Sequence, residues 1–295
     1  MPSKPPSLPD VPLIESDVAA LESLIAEYPA HADIARSLHE KGFAVFDPGF
    51  AAEDLDAAEA FCRSKLKGKG RIQDGWISDS VIGRLAVHPP ILEILSSLYG
   101  RRAFPFQTLN FEFGTQQMPH SDTYHFDSTP GRFMCGVWVA LENISSDAGP
   151  LVYYPGSHRL PILKRDEIGG EKTYQDYEKQ IQSLIEEHGL QPEYGLLKRG
   201  QALIWAANLI HGGSIHADSA KTRLSQVTHY YFADCAYHTP QSYDLAQGRA
   251  FVRQPFDLSK RRHVLSNRAY LNQQLSLYDI LAQRWHLWRQ RPARF

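Results

Sequence analysis

The spacing of apolar residues changes near residue 104, from a helical period to short runs that are typical of strands. Before this point, apolar residues recur at the intervals found in helices that bury one face. The helical patterns stop at Pro29, Gly42 and Gly100, residue types that commonly end helices. The predicted helices cover 16–28, 31–41, 52–66 and 89–99, and a strand at 43–46 follows the second of them. We expect these helices to pack against one face of a sheet.

Beyond residue 104, aromatic and β-branched residues form short runs bounded by Gly, Pro, Asp or Asn. These runs predict strands at 104–113, 133–141, 151–154, 202–205 and 224–232. Short strands at this density favour a mainly β fold with helical additions, whose core is a double-stranded β-helix of the jelly-roll or cupin-like kind. Between the strands, 174–188 has helical spacing and Gly189 follows it. We expect this insertion, at about 160–198, to be a lid or wall over a site.

The chain divides into three predicted segments. A Pro-rich arm covers 1–14, a single β-helix domain with the insertion covers 15–255, and a basic C-terminal extension of helical pattern covers 256–295. The extension carries tryptophans among its arginines, a pattern that a membrane-surface helix also shows. We favour a helix whose Trp face docks on the domain, because surface helices usually have this pattern.

Composition restricts the class of protein. The chain has 295 residues of which 43% are hydrophobic, enough for one substantial core. The net charge of −2 and pI near 6.7 argue against nucleic acid as the main partner and favour small molecules, with a homo-oligomer left open. Prolines at the start argue against a signal peptide, and we expect no membrane span, hence a cytoplasmic protein. Cys62, Cys135 and Cys235 predict buried thiols, because they are too few and too scattered for a disulfide framework.

Two His-x-Asp pairs are candidates for a metal site, His120-Ser121-Asp122 and His125-Phe126-Asp127. Residues two apart in an extended chain share a face, so the His and Asp of either pair can reach one ion. Because the pairs are offset by five residues, a continuous strand would place them on opposite faces. Either pair alone is a weak signal, and the residues themselves leave the choice open.

A second imidazole and a cation come from later in the chain. His211 follows the apolar run ALIWAANLI, and Gly212 and Gly213 after it permit close backbone approach. Two imidazoles and one carboxylate hold a divalent metal on one face and leave the other open, as in non-haem Fe(II) oxygenases. Arg223 opens the next strand, where it could bind an anionic co-substrate or form an ordinary surface salt bridge.

From Gly42 to about Tyr231 the chain resembles the phytanoyl-CoA dioxygenase family, which includes bacterial enzymes such as ectoine hydroxylase. The resemblance rests on HSD at 120–122, MCGVWVALENI, GPLVYYPGSH, GQALIWAANLIHGG and the arginine at 223. It implies that His120, Asp122 and His211 bind Fe(II), because the spacing from the metal-binding HxD to the Trp-bearing strand fits His120. His125 and Asp127 then remain candidates for the substrate pocket or for a structural role.

The same resemblance implies Fe(II) as metal, with 2-oxoglutarate as co-substrate beside O2. Arg223 would bind the distal carboxylate of 2-oxoglutarate, since a guanidinium offers two parallel hydrogen bonds. Gln107 and Trp138 match positions that contact or line the co-substrate pocket, although core packing would also explain a strand Trp and a solvated face a strand Gln. His216, His229 and His238 are expected to be packing or surface residues.

The predicted function is hydroxylation of an unactivated carbon in a small-molecule metabolite, coupled to decarboxylation of 2-oxoglutarate to succinate. The carboxylate ligand Asp122 favours hydroxylation, or another oxidation such as desaturation, over halogenation. Two alternatives remain: a non-redox metal-dependent cupin, such as an isomerase or hydrolase with Zn or Mn, and a non-catalytic binding protein of the same fold. Substrate identity is left open by the sequence, because one fold hosts many substrates.

Overall fold

The computed structural model describes residues 8–68, 70–242 and 252–264. The α-helices in these ranges are α1 (Val18–Glu27), α2 (Ala32–Lys41), α3 (Ala52–Lys65), α4 (Ser80–Ala86), α5 (Pro89–Tyr99) and α6 (Tyr174–Glu187). The strands are β1 (Phe43–Phe46), β2 (Arg71–Gln73), β3 (Ala103–Phe111), β4 (Asp127–Thr129), β5 (Met134–Ala140), β6 (Leu151–Tyr153), β7 (Glu193–Tyr194), β8 (Ala202–Ala206), β9 (His211–Gly213), β10 (Ser225–Phe232), β11 (Ala236–His238), β12 (Val252–Arg253), β13 (Phe256–Asp257) and β14 (Arg262–His263).

A six-stranded antiparallel sheet forms one wall of the fold, in the order β1-β8-β5-β10-β3-β2. The strand β10 is central, and its Thr228 lies opposite Thr108 of β3 and Val137 of β5. Along β5, Val137 and Val139 face the helix-covered core, whereas Trp138 belongs to a second core on the other side. The side chains of a strand alternate between the two faces of its sheet. A strand in a sheet that is covered on both faces therefore has a continuous run of apolar residues.

A smaller sheet, β7-β6-β9, lies opposite and closes the second core. An isolated antiparallel bridge between His120 and His211 extends it by one chain segment. Two facing antiparallel sheets with helices outside one of them are the double-stranded β-helix, so the predicted fold class is confirmed. Cys62, Cys135 and Cys235 are buried, also as predicted.

The insertion at about 160–198 carries α6, whose apolar face is anchored on the domain. Tyr177, Ile181 and Ile185 pack in a cluster that includes Tyr124. The Tyr177 hydroxyl accepts a hydrogen bond from the Ser121 backbone N–H at 2.8 Å. This contact ties α6 to the HSD segment.

The helical expectation for 256–295 is wrong for its first nine residues, which form the antiparallel pair β13 and β14. Asp257 accepts hydrogen bonds from Ser259 and the Lys260 backbone in the turn, and Phe256 stacks on Trp76 at 5.3 Å. A turn fixed in this way competes with helix formation. Residues 265–295 lie outside the described ones, as do residues 1–7 of the predicted arm. The rest of the arm packs on the body, where Arg101 donates to the Pro9 carbonyl oxygen.

The expectation that no run reaches the length of a membrane span needs a correction. Residues 80–99 are long and apolar enough to cross a membrane by length and composition alone, because an 18-residue window within these 20 residues has a mean hydropathy of 1.2. Half of the residues in that window are buried inside the protein. The stretch consists of two helices, α4 and α5, and Pro89 begins the second of them. Buried core helices pass the same test.

Candidate active site

The two histidines of the predicted triad are brought together by backbone pairing. The His120 N–H donates to the His211 carbonyl oxygen at 2.8 Å, and the His211 N–H returns the bond at 2.9 Å. Added side-chain carbons at Gly212 and Gly213 would lie 2.8 and 2.7 Å from backbone atoms of the 116–117 segment. The close backbone approach predicted for these two glycines is therefore confirmed.

Candidate ligand atoms of His120, Asp122 and His211 all lie within 4.8 Å of one another, and all three residues are buried. Asp122 begins a 3₁₀ turn that ends at Tyr124, so no continuous strand runs through both His-x-Asp pairs. The turn brings His125 to the same cavity, with its ring 6.2 Å from that of His120. The opposite-face expectation fails because it assumed an unbroken extended chain.

Backbone carbonyls fix both imidazoles of the triad. The Nδ1 of His120 is 2.9 Å from the Met118 oxygen, and the Nδ1 of His211 is 2.9 Å from the Leu209 oxygen. A carbonyl only accepts, so each Nδ1 carries the proton and each Nε2 keeps its lone pair. This is the outer-shell arrangement that orients metal-binding histidines.

A tryptophan missed by sequence reasoning holds the carboxylate. The Trp205 indole N–H donates to Asp122 Oδ2 at 2.8 Å. The indole lies across Gly136 of β5, where a β-carbon would be only 2.0 Å from the ring. A lone glycine within the strand MCGVWVA was the sequence signal for such a close approach.

The surroundings of Asp122 favour its ionised carboxylate. Burial alone would raise the pKa of Asp122, but His211, His229 and His120 outweigh it and lower that pKa below its usual range. Burial lowers the pKa of His120, and the proximity of His211 lowers it further. Deprotonated imidazole nitrogens and an ionised carboxylate are the forms that bind a metal.

His229 was predicted to be a packing or surface residue, and the structure places it in the site. It is buried and lines the cavity, its Nε2 lies 3.8 Å from Asp122 Oδ2, and its Nδ1 lies 2.9 Å from Gln107 Oε1. Gln107 also lines the cavity, where it was expected to contact a co-substrate. The pairing of β3 with β10 puts these two residues opposite each other, a register that sequence patterns did not reveal.

Arg223 is 1% exposed and lines the same cavity. It donates to the Gly149 carbonyl oxygen at 3.2 Å, but its Nε has no partner, and no carboxylate of the described ranges lies within 4.0 Å. Burial lowers the pKa of its guanidinium to about 10, which leaves it charged at neutral pH. The alternative of a surface salt bridge is excluded by this burial.

Trp138 lies behind Arg223 and is not among the residues that line the cavity. Its ring centroid is 5.6 Å from the Arg223 Cζ. The indole N–H of Trp138 and the hydroxyl of Tyr153, both fully buried, have no hydrogen-bond partner within the part of the chain that is described. Unsatisfied buried polar atoms usually mark a missing ligand or water.

His125 and Asp127 lie in different surroundings. His125 lines the cavity near Tyr174, whose hydroxyl is 3.4 Å from its Nε2. Asp127 accepts hydrogen bonds from the backbone N–H groups of Ser128 and Arg132 instead, and burial raises its pKa to about 6. Of the second His-x-Asp pair, only the histidine faces the cavity.

The cavity has a volume of about 500 Å³, sufficient for a small co-substrate and a substrate. One end is formed by Arg223 and Phe111, and aromatic residues Phe126 and Tyr174 line another part. The triad therefore faces a shared, partly apolar space.

The family model for phytanoyl-CoA dioxygenase (PhyH) matches residues 38–224, more than half of the chain and all of the triad. The chain belongs to the phytanoyl-CoA dioxygenase family. A probable phytanoyl-CoA dioxygenase of Caenorhabditis elegans is 24% identical over 177 residues, covering 54% of this chain and 54% of that protein. The chain spans between 34% and 54% of the length of the curated relatives it matches.

Solved structures support the same fold. The epimerase SnoN from nogalamycin biosynthesis, in complex with Fe³⁺, alpha ketoglutarate and nogalamycin RO, has a TM-score of 0.56 at 21% identity and covers 85% of this chain and 98% of its own. EctD from S. alaskensis, with 2-oxoglutarate and 5-hydroxyectoine, has a TM-score of 0.54 at 19% identity, covering 78% of this chain and 83% of its own.

The residues present fit an iron ion and a dicarboxylate. Two imidazole nitrogens and one carboxylate oxygen form the facial set that non-haem Fe(II) prefers. The buried cation of Arg223, which has no carboxylate partner among the described residues, fits a carboxylate, because a buried charge is costly until it is paired.

Proposed function

We propose that this protein is an Fe(II)- and 2-oxoglutarate-dependent oxygenase that hydroxylates an unactivated carbon of a small-molecule metabolite. The observation that carries the proposal is one cavity containing both the His120, Asp122 and His211 triad and the unpaired, buried Arg223. A metal site alone would suit several chemistries. A buried cation beside it calls for an anionic co-substrate, which the non-redox cupin alternative does not explain.

Bound iron would supply O2 activation coupled to oxidation of 2-oxoglutarate to succinate and CO2, with the second oxygen atom going to the substrate C–H bond. His120, Asp122 and His211 would hold such an ion from one side. His120 and His211 present their Nε2 atoms while their Nδ1 protons stay on backbone carbonyls. Asp122 is kept in position by the Trp205 indole, which leaves the cavity side open.

Arg223 would bind the distal carboxylate of the co-substrate. Its guanidinium is held between Phe111 and Trp138, with its Cζ 5.7 and 5.6 Å from their ring centroids. A fixed planar fork binds a carboxylate through two charge-assisted hydrogen bonds. The Trp138 indole N–H and the Tyr153 hydroxyl, which have no hydrogen-bond partner among the described residues, lie in the core behind Arg223.

Residues on the other side of the triad would position the substrate and exclude water. Phe126 packs edge-on against Phe106 at 5.4 Å, and Tyr174 approaches His125 from α6. Aromatic walls of this kind place an apolar carbon near the metal and keep bulk water out. The epimerase SnoN shares this fold at 21% identity, so the fold alone does not specify hydroxylation. The carboxylate ligand Asp122 favours hydroxylation, or another oxidation such as desaturation, over halogenation.

An anaerobic titration tests the proposal. Fe(II) and 2-oxoglutarate added to the wild-type protein should give the weak visible charge-transfer band of the chelate, and the band should disappear in His120→Ala. His188→Ala is a matched control, because His188 is exposed beyond the end of α6. Tight Zn or Mn binding with no chelate band in the wild-type protein would overturn the proposal in favour of the non-redox cupin.

A further inference from the structure

The cavity has more positive charge than the proposed co-substrate accounts for. Arg71, Arg223 and Arg253 all line it, whereas Asp122 is the single acidic side chain among its described lining residues. In the proposed function, the negative charge of Asp122 serves the metal site, and the positive charge of Arg223 binds the co-substrate. Two arginines remain without a role in the proposed function. Arg71 is exposed at the rim, and Arg253 is half-buried.

Arg253 is held by different residues from those that hold Arg223. The pairing of β12 with β11 places it opposite Tyr237 in the small sheet β12-β11-β4. Its Cζ lies 4.7 Å from the ring centroid of Phe126 and 6.0 Å from that of Phe106. Phe106 in turn stacks on the His229 ring, with centroids 6.1 Å apart. Arg253 therefore packs on the aromatic residues beside His229, whereas Arg223 packs on Phe111 and Trp138.

Within the described residues, the guanidinium of Arg253 uses few of its hydrogen-bond donors. Its Nη1 donates to Thr239 Oγ1 at 3.2 Å, and no carboxylate of residues 8–68, 70–242 or 252–264 lies within 4.0 Å of it. By contrast, Arg132 is paired with Glu15 at 2.8 Å, and Arg84 with Asp54 at 2.7 Å. A guanidinium has five N–H donors, so most of those of Arg253, which lines the cavity, have no partner among the described residues.

We propose that the substrate carries a carboxylate or phosphate group that Arg253 binds, with Phe126 and Thr239 holding the guanidinium in place. This inference rests on the proposed function, since it assigns the substrate class of the same site. Stacking on Phe126 limits the motion of the side chain, so little entropy is lost when the anion binds. A neutral substrate of the same shape would leave this cation unpaired and bind less well.

The test uses benzoate and its neutral counterpart benzamide as probes, with phenyl phosphate as a second anion. Binding to the anaerobic Fe(II)- and 2-oxoglutarate-loaded protein is measured by calorimetry up to about 10 mM probe. We expect the wild-type protein to prefer benzoate to benzamide roughly tenfold or more, as charge-assisted hydrogen bonds imply. Arg253→Gln should abolish the preference, and Arg253→Lys should keep part of it. Tighter binding of phenyl phosphate than of benzoate would identify phosphate as the recognised anion.

Arg36→Gln is the matched control, because it removes the same charge from an exposed position on α2. The inference is overturned if the wild-type protein binds both probes equally, binds neither, or keeps its preference in Arg253→Gln. Loss of the chelate band in Arg253→Gln would assign the residue to 2-oxoglutarate and also overturn it. A missing band in the wild-type protein, with the benzoate preference intact, would refute the oxygenase and leave the anion site standing.

Discussion

Replacing Arg223 with glutamine should weaken 2-oxoglutarate binding far more than it changes the stability of the protein. The side chain is fully buried, lines the cavity, and lacks a carboxylate partner among the described residues. Two charge-assisted hydrogen bonds to a carboxylate are worth about 3–4 kcal/mol together, or roughly 150- to 900-fold in Kd. Arg223→Lys keeps the charge but loses the paired geometry, so an increase in Kd of roughly 10- to 30-fold is expected.

The effect on the ligand-free protein should be small because opposing contributions nearly cancel. Burial lowers the Arg223 pKa from 12.5 to about 10, which corresponds to a cost of roughly 3 kcal/mol for the buried charge. Against this stand the cation–π contacts with Phe111 and Trp138, about 0.5–1 kcal/mol each, and the hydrogen bond to Gly149, about 1 kcal/mol. The net change in the free energy of unfolding should be within about 1 kcal/mol.

Two measurements separate these effects. Anaerobic titration of the Fe(II) protein with 2-oxoglutarate, followed by the chelate band, gives Kd, and denaturant unfolding without ligand gives the free energy of unfolding. Arg36→Gln controls for the loss of one positive charge. The reasoning is refuted if Arg223→Gln binds 2-oxoglutarate as the wild-type protein does, or if it loses more than about 3 kcal/mol of stability without ligand, since either result would make Arg223 a structural residue.

Gly136→Ala should displace the Trp205 indole from the carboxylate ligand and weaken Fe(II) binding about tenfold in an anaerobic metal titration. The control is Gly83→Ala, whose new carbon would make an ordinary contact at 3.6 Å and should leave Fe(II) binding unchanged. Equal Fe(II) affinities of the two variants would contradict this account. Asp127 has its pKa raised by burial from 3.8 to about 6, so the stability it contributes is present below pH 4 and is lost as the pH rises through 6. The free energy of unfolding of Asp127→Asn, measured in urea, should therefore rise relative to that of the wild-type protein by up to about 3 kcal/mol between pH 4 and pH 7.5. A difference between the two proteins that does not change with pH would contradict this prediction. Fe(II) at about 100 times its Kd should raise the free energy of unfolding by about 2.7 kcal/mol, an effect that a chelator reverses and that His120→Ala lacks; stabilisation of that variant would place the metal elsewhere.

The sequence determined many of the helices and strands and the residue types of the site. The helices at 89–99 and 52–66 and the strand at 43–46 were predicted to within a residue, because Gly and Pro mark their ends and apolar spacing marks their buried faces. The hairpin at 256–263 was missed, since a basic stretch with helical spacing gives no sign of the turn that Asp257 fixes. Local patterns report local preferences, and a side-chain-stabilised turn overrides them.

Only the tertiary structure decided which of these residues meet. Pairing of β3 with β10 puts Gln107 beside His229, and the long-range bridge between His120 and His211 builds the triad from segments about ninety residues apart. Burial of Arg223 and the position of Arg253 likewise depend on contacts between distant strands. Strand register and burial are set by packing across the whole fold, so residue types can be predicted from spacing along the chain, but their partners and charges cannot.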